Sequence, residues 1–384
     1  MSAAPLPADA HPILRQAAPD AAIEAAFSRR YAEARDKFLA AARDAGLAVQ
    51  SHLHPLKGRD GEDLAMDVVR DGPADAASVL IVSSACHGVE GYCGSGVQVA
   101  ALRNAALRAQ MARSGVAVLY IHALNPYGFS HVRRTTHENV DLNRNFHDFS
   151  QPLPVNEGYR DIHALLLPEQ WPPAADNDAA IAAYVAQHGA KAFQAAVSRG
   201  QHEFADGLFY GGTAPTWSNQ TVRAVLREHG RACQRLAWID LHTGLGPCGL
   251  GERIYAGDDD AATIARARRW WDGGGKTPIT SFYDGSSTSA FLTGLMWTSA
   301  PQECPQAEVT GMALEYGTQP FTQMTQALRA EHWLHKHPEA PAAQAAAIKQ
   351  QMMDAFYTDL PQWRTVIVQQ AHEAMQQAAD GLAG

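Results

Sequence analysis

An α/β fold, with a mostly parallel sheet covered by helices on both faces, follows from three features of the sequence. Strand-like and helix-like runs alternate between residues 60 and 125, the order that joins parallel strands through crossover helices. The strand candidates include short, nearly continuous apolar runs such as "SVLIV", the pattern of strands buried on both faces. At 384 residues, 46% apolar and 18% charged, the chain is large enough to bury a sizeable core within one large domain.

Residues 21–46 form an Ala-rich amphipathic pattern that predicts a helix ending at Gly46, within an N-terminal helical segment 1–50. "LAMDVVRDG" predicts a strand that turns at Asp71-Gly72, and "ASVLIVSSA" predicts the next strand. "GVQVAALRNAALRAQMA" predicts a helix, and "GVAVLYIHALNP" a strand broken at Pro126. Further strands are expected at "RLAWIDLH" (235–242) and "GMALEYG" (311–317). Residues 147–234 turn helical and Pro/Trp-rich, with a Gly-rich stretch at "LFYGGTAPTWSN". From about residue 321 to 384 two or three more helices are expected. No solenoid or propeller period occurs. The Pro/Gly breaks are local, so one domain over 1–384 is expected.

A net charge of −9 and the lack of any Lys/Arg-dense stripe argue against nucleic-acid binding and against a polybasic membrane-surface segment. No stretch approaches the roughly 18 apolar residues a membrane span needs. The N-terminal residues lack the basic and apolar regions of a secretory signal. Cys86, Cys93, Cys233, Cys248 and Cys304 are too scattered for a disulfide framework, and no CxxC occurs. Reduced thiols and a cytoplasmic setting are therefore expected.

Sites in open α/β sheets form outside the carboxyl ends of the strands, so the residues that follow the predicted strands carry the chemistry. After "SVLIV" come His87 and Glu90; "RLAWIDLH" ends in His242; "MALEYG" carries Glu315. Two neutral imidazoles and one carboxylate are a sufficient ligand set for a catalytic zinc, with one position left for water. Each residue also has a plainer reading. His87 and Glu90 alone suit a turn, and His242 beside Asp240 suits a hydrogen-bonded core histidine. Glu315 is harder to dismiss, because a carboxylate within an apolar strand pays for desolvation unless it is paired or used. Downstream of Pro126, "DLNRNF" places Asn143 and Arg144 side by side, a fork and an amide suited to a carboxylate. Arg133 and Arg134 lie upstream, where one of them can steady an oxyanion.

Together, HxxE, "NPYGF…RR…VDLNRNF", "IDLH" and "LEYG", in that order over roughly residues 75–320, resemble the zinc metallocarboxypeptidase superfamily typified by carboxypeptidase A. "CHGVEGYCGSG", "LFYGGTAPTWSN" and "DLHTGLGP" are similar to a bacterial branch of it. The resemblance implies an α/β/α sandwich around a mixed, largely parallel sheet of about eight strands. It implies one zinc per chain, held by His87, Glu90 and His242, with Glu315 as general base. Asn143 and Arg144 match the pair that holds the substrate's terminal carboxylate. Arg133 takes the place of the carbonyl-polarising arginine, with Arg134 one residue out of step, and Tyr283 in "SFYDGSS" is the candidate for the tyrosine that closes over the substrate. The 147–234 insertion departs from the pattern and is expected to wall the site; Phe209, Tyr210 and Trp217 within it are where acyl-side room is decided.

A serine nucleophile is the first rival, through Ser95 in "CGSG" or Ser286 in "DGSS". Cys93, however, stands where a nucleophile elbow needs its first glycine. "GYCGSG" also lacks the Walker lysine and the dinucleotide spacing. The favoured reading is a zinc hydrolase that cleaves an amide bond beside a free carboxylate, in a small peptide. "DLNR" and HG-x-E are shared with the aspartoacylase and succinylglutamate desuccinylase branch, so N-acyl amino acid deacylation is the alternative. A non-catalytic zinc- or ligand-binding descendant is the third reading, which the retention of Glu315 disfavours.

Overall fold

The structure is a computed structural model that describes residues 10–384, so residues 1–9 of the expected N-terminal segment lie outside the described residues. Eight strands form one mixed sheet: β1 (Val49–Lys57), β2 (Asp63–Asp71), β3 (Ser78–Ser84), β4 (Val116–His122), β5 (Arg235–Gly244), β6 (Gly251–Ala256), β7 (Ile279–Thr280) and β8 (Glu308–Gly317). Their order is β1-β2-β4-β3-β5-β8-β6-β7. The four central strands β4, β3, β5 and β8 run parallel. β1 and β2 are antiparallel additions at one edge, and β6 pairs antiparallel with β8 at the other.

Sheet position follows from side-chain chemistry. Every residue of β3 and β4 is buried, which suits central strands with helices on both faces. Alternation then sends successive side chains to opposite layers. Leu80 and Val82 join one core cluster while Val79 and Ile81 join the other. Likewise Ala237, Ile239 and Leu241 of β5 face one layer, and Leu236 and Trp238 the opposite one. Each such Val, Leu or Ile side chain contributes about 1.5–3 kcal/mol on burial.

Two expected helices are divided. The 21–46 pattern yields Ala21–Glu24 and Tyr31–Asp44. The run after "CHGVEG" yields Gly91–Arg103 and Ala105–Arg113, parted at Asn104, whose side chain accepts from Leu107 N. Strands β1, β6 and β7 were not expected. β1 is a polar, half-exposed edge strand, and β7 has only two residues, so neither carries an apolar run. Among the described residues no helix is long and apolar enough to cross a membrane.

After β3 the chain crosses to β4 on one side, and later returns to β5 on the other side of β3. The carboxyl end of β3 is therefore a topological switch point, where a crevice opens between diverging connections.

Candidate active site

His87 lies just beyond β3 and Glu90 ends the short 3-10 turn Gly88–Glu90, which leads into helix Gly91–Arg103. The turn is docked on a neighbouring loop: Gly88 N donates to Arg134 O at 3.0 Å and Val89 N to Arg133 O at 2.8 Å. Only glycine fits at position 88, since a Cβ there would lie 2.1 Å from the Gly128 carbonyl carbon. His242 and Glu315 sit near the ends of β5 and β8 as cross-strand partners. Four side chains separated by up to 228 positions thus meet at the switch point.

The Nδ1 atoms of both imidazoles converge on one carboxylate: His87 Nδ1 lies 2.8 Å from Glu90 Oε1 and His242 Nδ1 2.9 Å from Glu90 Oε2. The opposite ring nitrogens each face a further carboxylate. His87 Nε2 is 3.2 Å from Asp141 Oδ1, and His242 Nε2 is 2.5 Å from Asp240 Oδ2, although neither of the latter atoms completes a well-aligned hydrogen bond. Metal-binding histidines commonly carry such an outer carboxylate, which fixes the tautomer and raises ligand basicity. His87 Nε2 also meets Arg134 Nη2 at 2.8 Å. An arginine only donates, so Nε2 cannot accept from Arg134 while donating to Asp141. With Nδ1 as the ligand atom, the bond to Asp141 is the compatible one.

These donors suit a metal ion. His87, Glu90 and His242 each offer a ligand atom within 4.8 Å of the others, all buried, and two nitrogens with one carboxylate match zinc. Around them Glu90, Asp141, Asp240 and Glu315 supply four carboxylates against the guanidinium groups of Arg134 and Arg144, a balance that a divalent cation completes. Cys86, Asp240 and His242 form a second close group. Burial, then the Asp240 charge, pushes the Cys86 thiol well above its ordinary range, so it is a neutral packing residue rather than a ready ligand. Cys93 is buried as well.

Burial alone would raise the Glu90 carboxyl, but His87 and the His242 hydrogen bond hold it well below the usual carboxylate range. His242 is raised well above the usual imidazole range because Asp240 and Glu90 outweigh its burial. Glu315 goes the other way. Burial, then repulsion from Glu90, pushes it up to about 8, while one oxygen accepts from Leu245 N at 2.9 Å.

The two adjacent arginines divide. Arg134 lines the cavity, with Nε on Asp141 Oδ2 at 2.9 Å and Nη1 3.3 Å from Glu90 Oε1. Arg133, expected to polarise the substrate, faces away. Its Nε lies 3.2 Å from Glu331 Oε1, and Nη2 donates to Asn139 Oδ1 at 3.4 Å. Val132 takes a left-handed φ of +52°, an outlier for a β-branched residue, and this turn sets which guanidinium enters. Asn143 and Arg144 both line the cavity. Asn143 Oδ1 accepts from Met296 N at 3.1 Å. Arg144 directs Nε and Nη2 to Ser198 O at 3.2 and 2.6 Å. Tyr283 is not brought to the site: its hydroxyl donates to Gly257 O at 2.9 Å, and the neighbouring Phe282 lines the cavity instead.

The insertion walls the cavity through Gln194, Ser198 and Phe209. The Phe209 ring covers both guanidinium groups, 4.9 Å from Arg134 and 5.7 Å from Arg144. Tyr210 contributes only its carbonyl, to Asp141 N at 2.7 Å, and Trp217 packs on His54 at 4.7 Å. Asp141 and Asp240 were not assigned from sequence. The signal was present, since Asp240 precedes His242 by two strand positions and Asp141 opens "DLNR". The cavity volume is about 110 Å³, room for several waters at roughly 10–15 Å³ each.

Solved structures share this fold. The chain is similar to thrombin activatable fibrinolysis inhibitor at 10% identity and a TM-score of 0.52, covering 92% of this chain and 74% of that one. Carboxypeptidase A from Helicoverpa armigera matches at 11% identity and 0.42, over 85% of this chain and 74% of that one. A metallo-carboxypeptidase from Pseudomonas aeruginosa matches at 13% identity and 0.40, over 91% and 69%. The architecture is the metallocarboxypeptidase fold. A family model described as "Protein of unknown function (DUF2817)" matches residues 27–370, and the chain belongs to that family. Comparison with curated proteins returned no match.

Proposed function

We propose that the protein is a zinc-dependent hydrolase that cleaves an amide bond next to a free carboxylate, as a carboxypeptidase. The observation that carries this is the convergence of both imidazole Nδ1 atoms on Glu90, within one cavity that also holds Glu315, Arg134 and Arg144. A zinc ion held by His87, Glu90 and His242 supplies Lewis acidity, acidifying water and polarising a carbonyl. Glu315 takes the proton of the attacking water and returns it to the leaving nitrogen. Its carboxyl, about 8 without a nearby cation, moves down toward neutrality beside one, the range in which a proton is both taken and given back. Arg134 keeps Nε on Asp141 and offers its Nη donors to the oxygen on which charge develops.

Arg144 is the carboxylate anchor. Its Nε and Nη2 donate to Ser198 O and Nη1 donates to Asn143 O at 2.9 Å, which fixes the guanidinium in the cavity wall; its remaining Nη hydrogens would grip a substrate carboxylate. Past Leu245, Phe282 and Phe321 the cavity continues into a surface groove, which supports a peptide over a short acyl group by giving the acyl side an exit.

The test combines metal analysis of the purified protein with two substrate panels, peptides varied at the C-terminus and N-acyl amino acids. Near-stoichiometric zinc and cleavage of free-acid peptides are expected. Arg144→Ala should lose activity on free acids and not on the matching amides. Protein without a divalent metal, or equal loss on acids and amides, refutes the reading.

A further inference from the structure

Two cysteines that lie far apart in sequence meet at the end of the sheet opposite the active site. Cys233 follows helix Trp217–Gly230 and leads into β5, and Cys304 follows helix Ser299–Glu303 and leads into β8. Both thiols pack on Gly230. Cys233 Sγ donates to Gly230 O at 2.9 Å, and a Cβ on Gly230 would collide with Cys304 Sγ. Cys304 Sγ donates to Leu226 O at 3.5 Å, one turn earlier on the same helix. Gln306 Nε2 clamps the two segments, donating to Gly230 O at 2.8 Å and to Cys233 O at 3.1 Å.

The pair is chemically unequal. Arg70 of β2 donates through Nη1 to His229 O at 3.0 Å, the carbonyl next to the one that holds Cys233. Its Nη2 is buried with no hydrogen-bond partner among the described residues. Contact with Cys304, opposed by burial and aided by the Arg70 charge, holds the Cys233 thiol below its ordinary value. Cys304 goes the other way, raised by its contact with Cys233 and then by burial. A thiol favoured as thiolate by a cation, with a second thiol at its side, is the arrangement of an attacking and a resolving cysteine. Both are buried, but only shallowly: Arg231, Ala232 and Gln234 around Cys233, and Pro305 and Gln306 beside Cys304, are exposed. Local opening of these two turns therefore admits a small reagent.

We infer that Cys233 and Cys304 form a thiol–disulfide exchange site for small disulfides, with Cys233 attacking and Cys304 resolving. The Cys233 sulfur bonds to one sulfur of the small disulfide, whose other half leaves as a thiolate. The Cys304 sulfur then attacks Cys233 in the mixed disulfide and expels the second half. The two protein thiols give up two electrons and two protons, which end on the two small thiols released. The bridge ties the N-terminal ends of the paired strands β5 and β8, which carry His242 and Glu315, and closes a loop of roughly seventy residues. It stands independently of the hydrolase reading.

The test treats the full-length, reduced, native protein with excess hydroxyethyl disulfide and follows thiols and masses. Two of the five cysteines should be lost as thiols, and peptide mapping should find Cys233 joined to Cys304. Cys304→Ser should stop at a mixed disulfide of the probe on Cys233, and Cys233→Ser should leave Cys304 unmodified; alanine variants replace either one that does not fold. Arg70→Gln should slow the first exchange about threefold at pH 7, since a smaller thiolate fraction is partly offset by a more nucleophilic sulfur. The oxidised protein should melt at a higher temperature, because the bridged chain has less freedom to gain on unfolding. Five thiols persisting in the native protein, a bridge to any other cysteine, or a probe adduct on Cys304 in place of Cys233 overturns the inference. So does an Arg70→Gln rate equal to wild type, or a lower melting temperature after oxidation.

Discussion

Replacing Glu331 by glutamine tests how the active-site loop is held. Glu331, on helix Phe321–Lys336, is buried between Arg133 Nε at 3.2 Å and Lys349 Nζ at 2.7 Å. Burial alone would raise its carboxyl, but the charges of Arg133 and then Lys349 bring it down to about 2. Lys349 is itself lowered, chiefly by its own burial, so the pair is not symmetric; Glu331, faced by two cations, is the better gauge of the attraction. Against an unfolded glutamate near 4.3, the difference corresponds to about 3 kcal/mol. Because the folded value lies below the unfolded one, this contribution is whole above about pH 4.3 and fades as pH falls toward 2. Glu331→Gln keeps the shape and leaves two buried cations without their anion, so a loss of about 3 kcal/mol is expected at pH 7. Urea denaturation, with no ionic screening from the denaturant, measures it at pH 7, 5 and 3. The gap between wild type and variant should be equal at pH 7 and 5 and shrink at pH 3. Lys349 Nζ also holds His131 O at 2.7 Å, and the carbonyls of Arg133 and Arg134 hold the Gly88–Glu90 turn. Metal affinity should therefore weaken about 10-fold, as for other outer-shell changes. A gap below about 0.5 kcal/mol, the size of an ordinary surface substitution, or one that does not change with pH, refutes the reasoning.

Glu315→Gln should bind zinc as wild type does but lose about 10²–10⁴-fold in kcat, checked by metal titration beside steady-state kinetics; metal loss would make it a ligand instead. Asp141→Asn should weaken zinc by about 10–100-fold, measured by competition with a chromophoric chelator. Arg134→Ala should cut kcat by about 10²–10³-fold with little change in thermal stability. Arg133→Ala should chiefly lower the melting temperature, and a larger kcat loss in Arg133→Ala than in Arg134→Ala contradicts the assignment.

Residues at strand ends were legible from sequence because an apolar run marks its own end, and His87, His242 and Glu315 each sit at one. Asn143 and Arg144 were legible because the motif is contiguous. Between Arg133 and Arg134 the sequence is silent. They are adjacent and chemically identical, and the choice rests on the φ of +52° at Val132 and on Glu331, nearly two hundred positions downstream. Tyr283 failed for a related reason: its neighbour Phe282 has the same ring without the hydroxyl, and local pattern does not say which one turns inward. β6 was missed because "GERIYA" opens on a glycine and two charged residues, Glu252 and Arg253, so its sequence shows neither a continuous apolar run nor clean alternation.

Arg134 and Arg144 occupy one cavity under one phenylalanine ring, yet their charges are met differently. Arg134 lies against Asp141 and Glu90, and its burial is outweighed, so its pKa is raised. Arg144 has the same burial but only Asp141, at 4.0 Å, and burial brings it down to about 10. The missing quantity at Arg144 is an anion: Nη1 donates to Asn143 O and Nε and Nη2 to Ser198 O, both neutral carbonyls, and its one ion-pair partner among the described residues is Asp141 at 4.0 Å although Glu90 and Glu315 line the same cavity. A buried cation in that condition gains more from an anionic ligand than a compensated one does. Under the proposed function, the arginine that would meet only a developing charge is the neutralised one, and the arginine that would hold a full charge before reaction is the one left uncompensated. Removing Asp141 would blur that division from both sides, since it is the one carboxylate both guanidinium groups share.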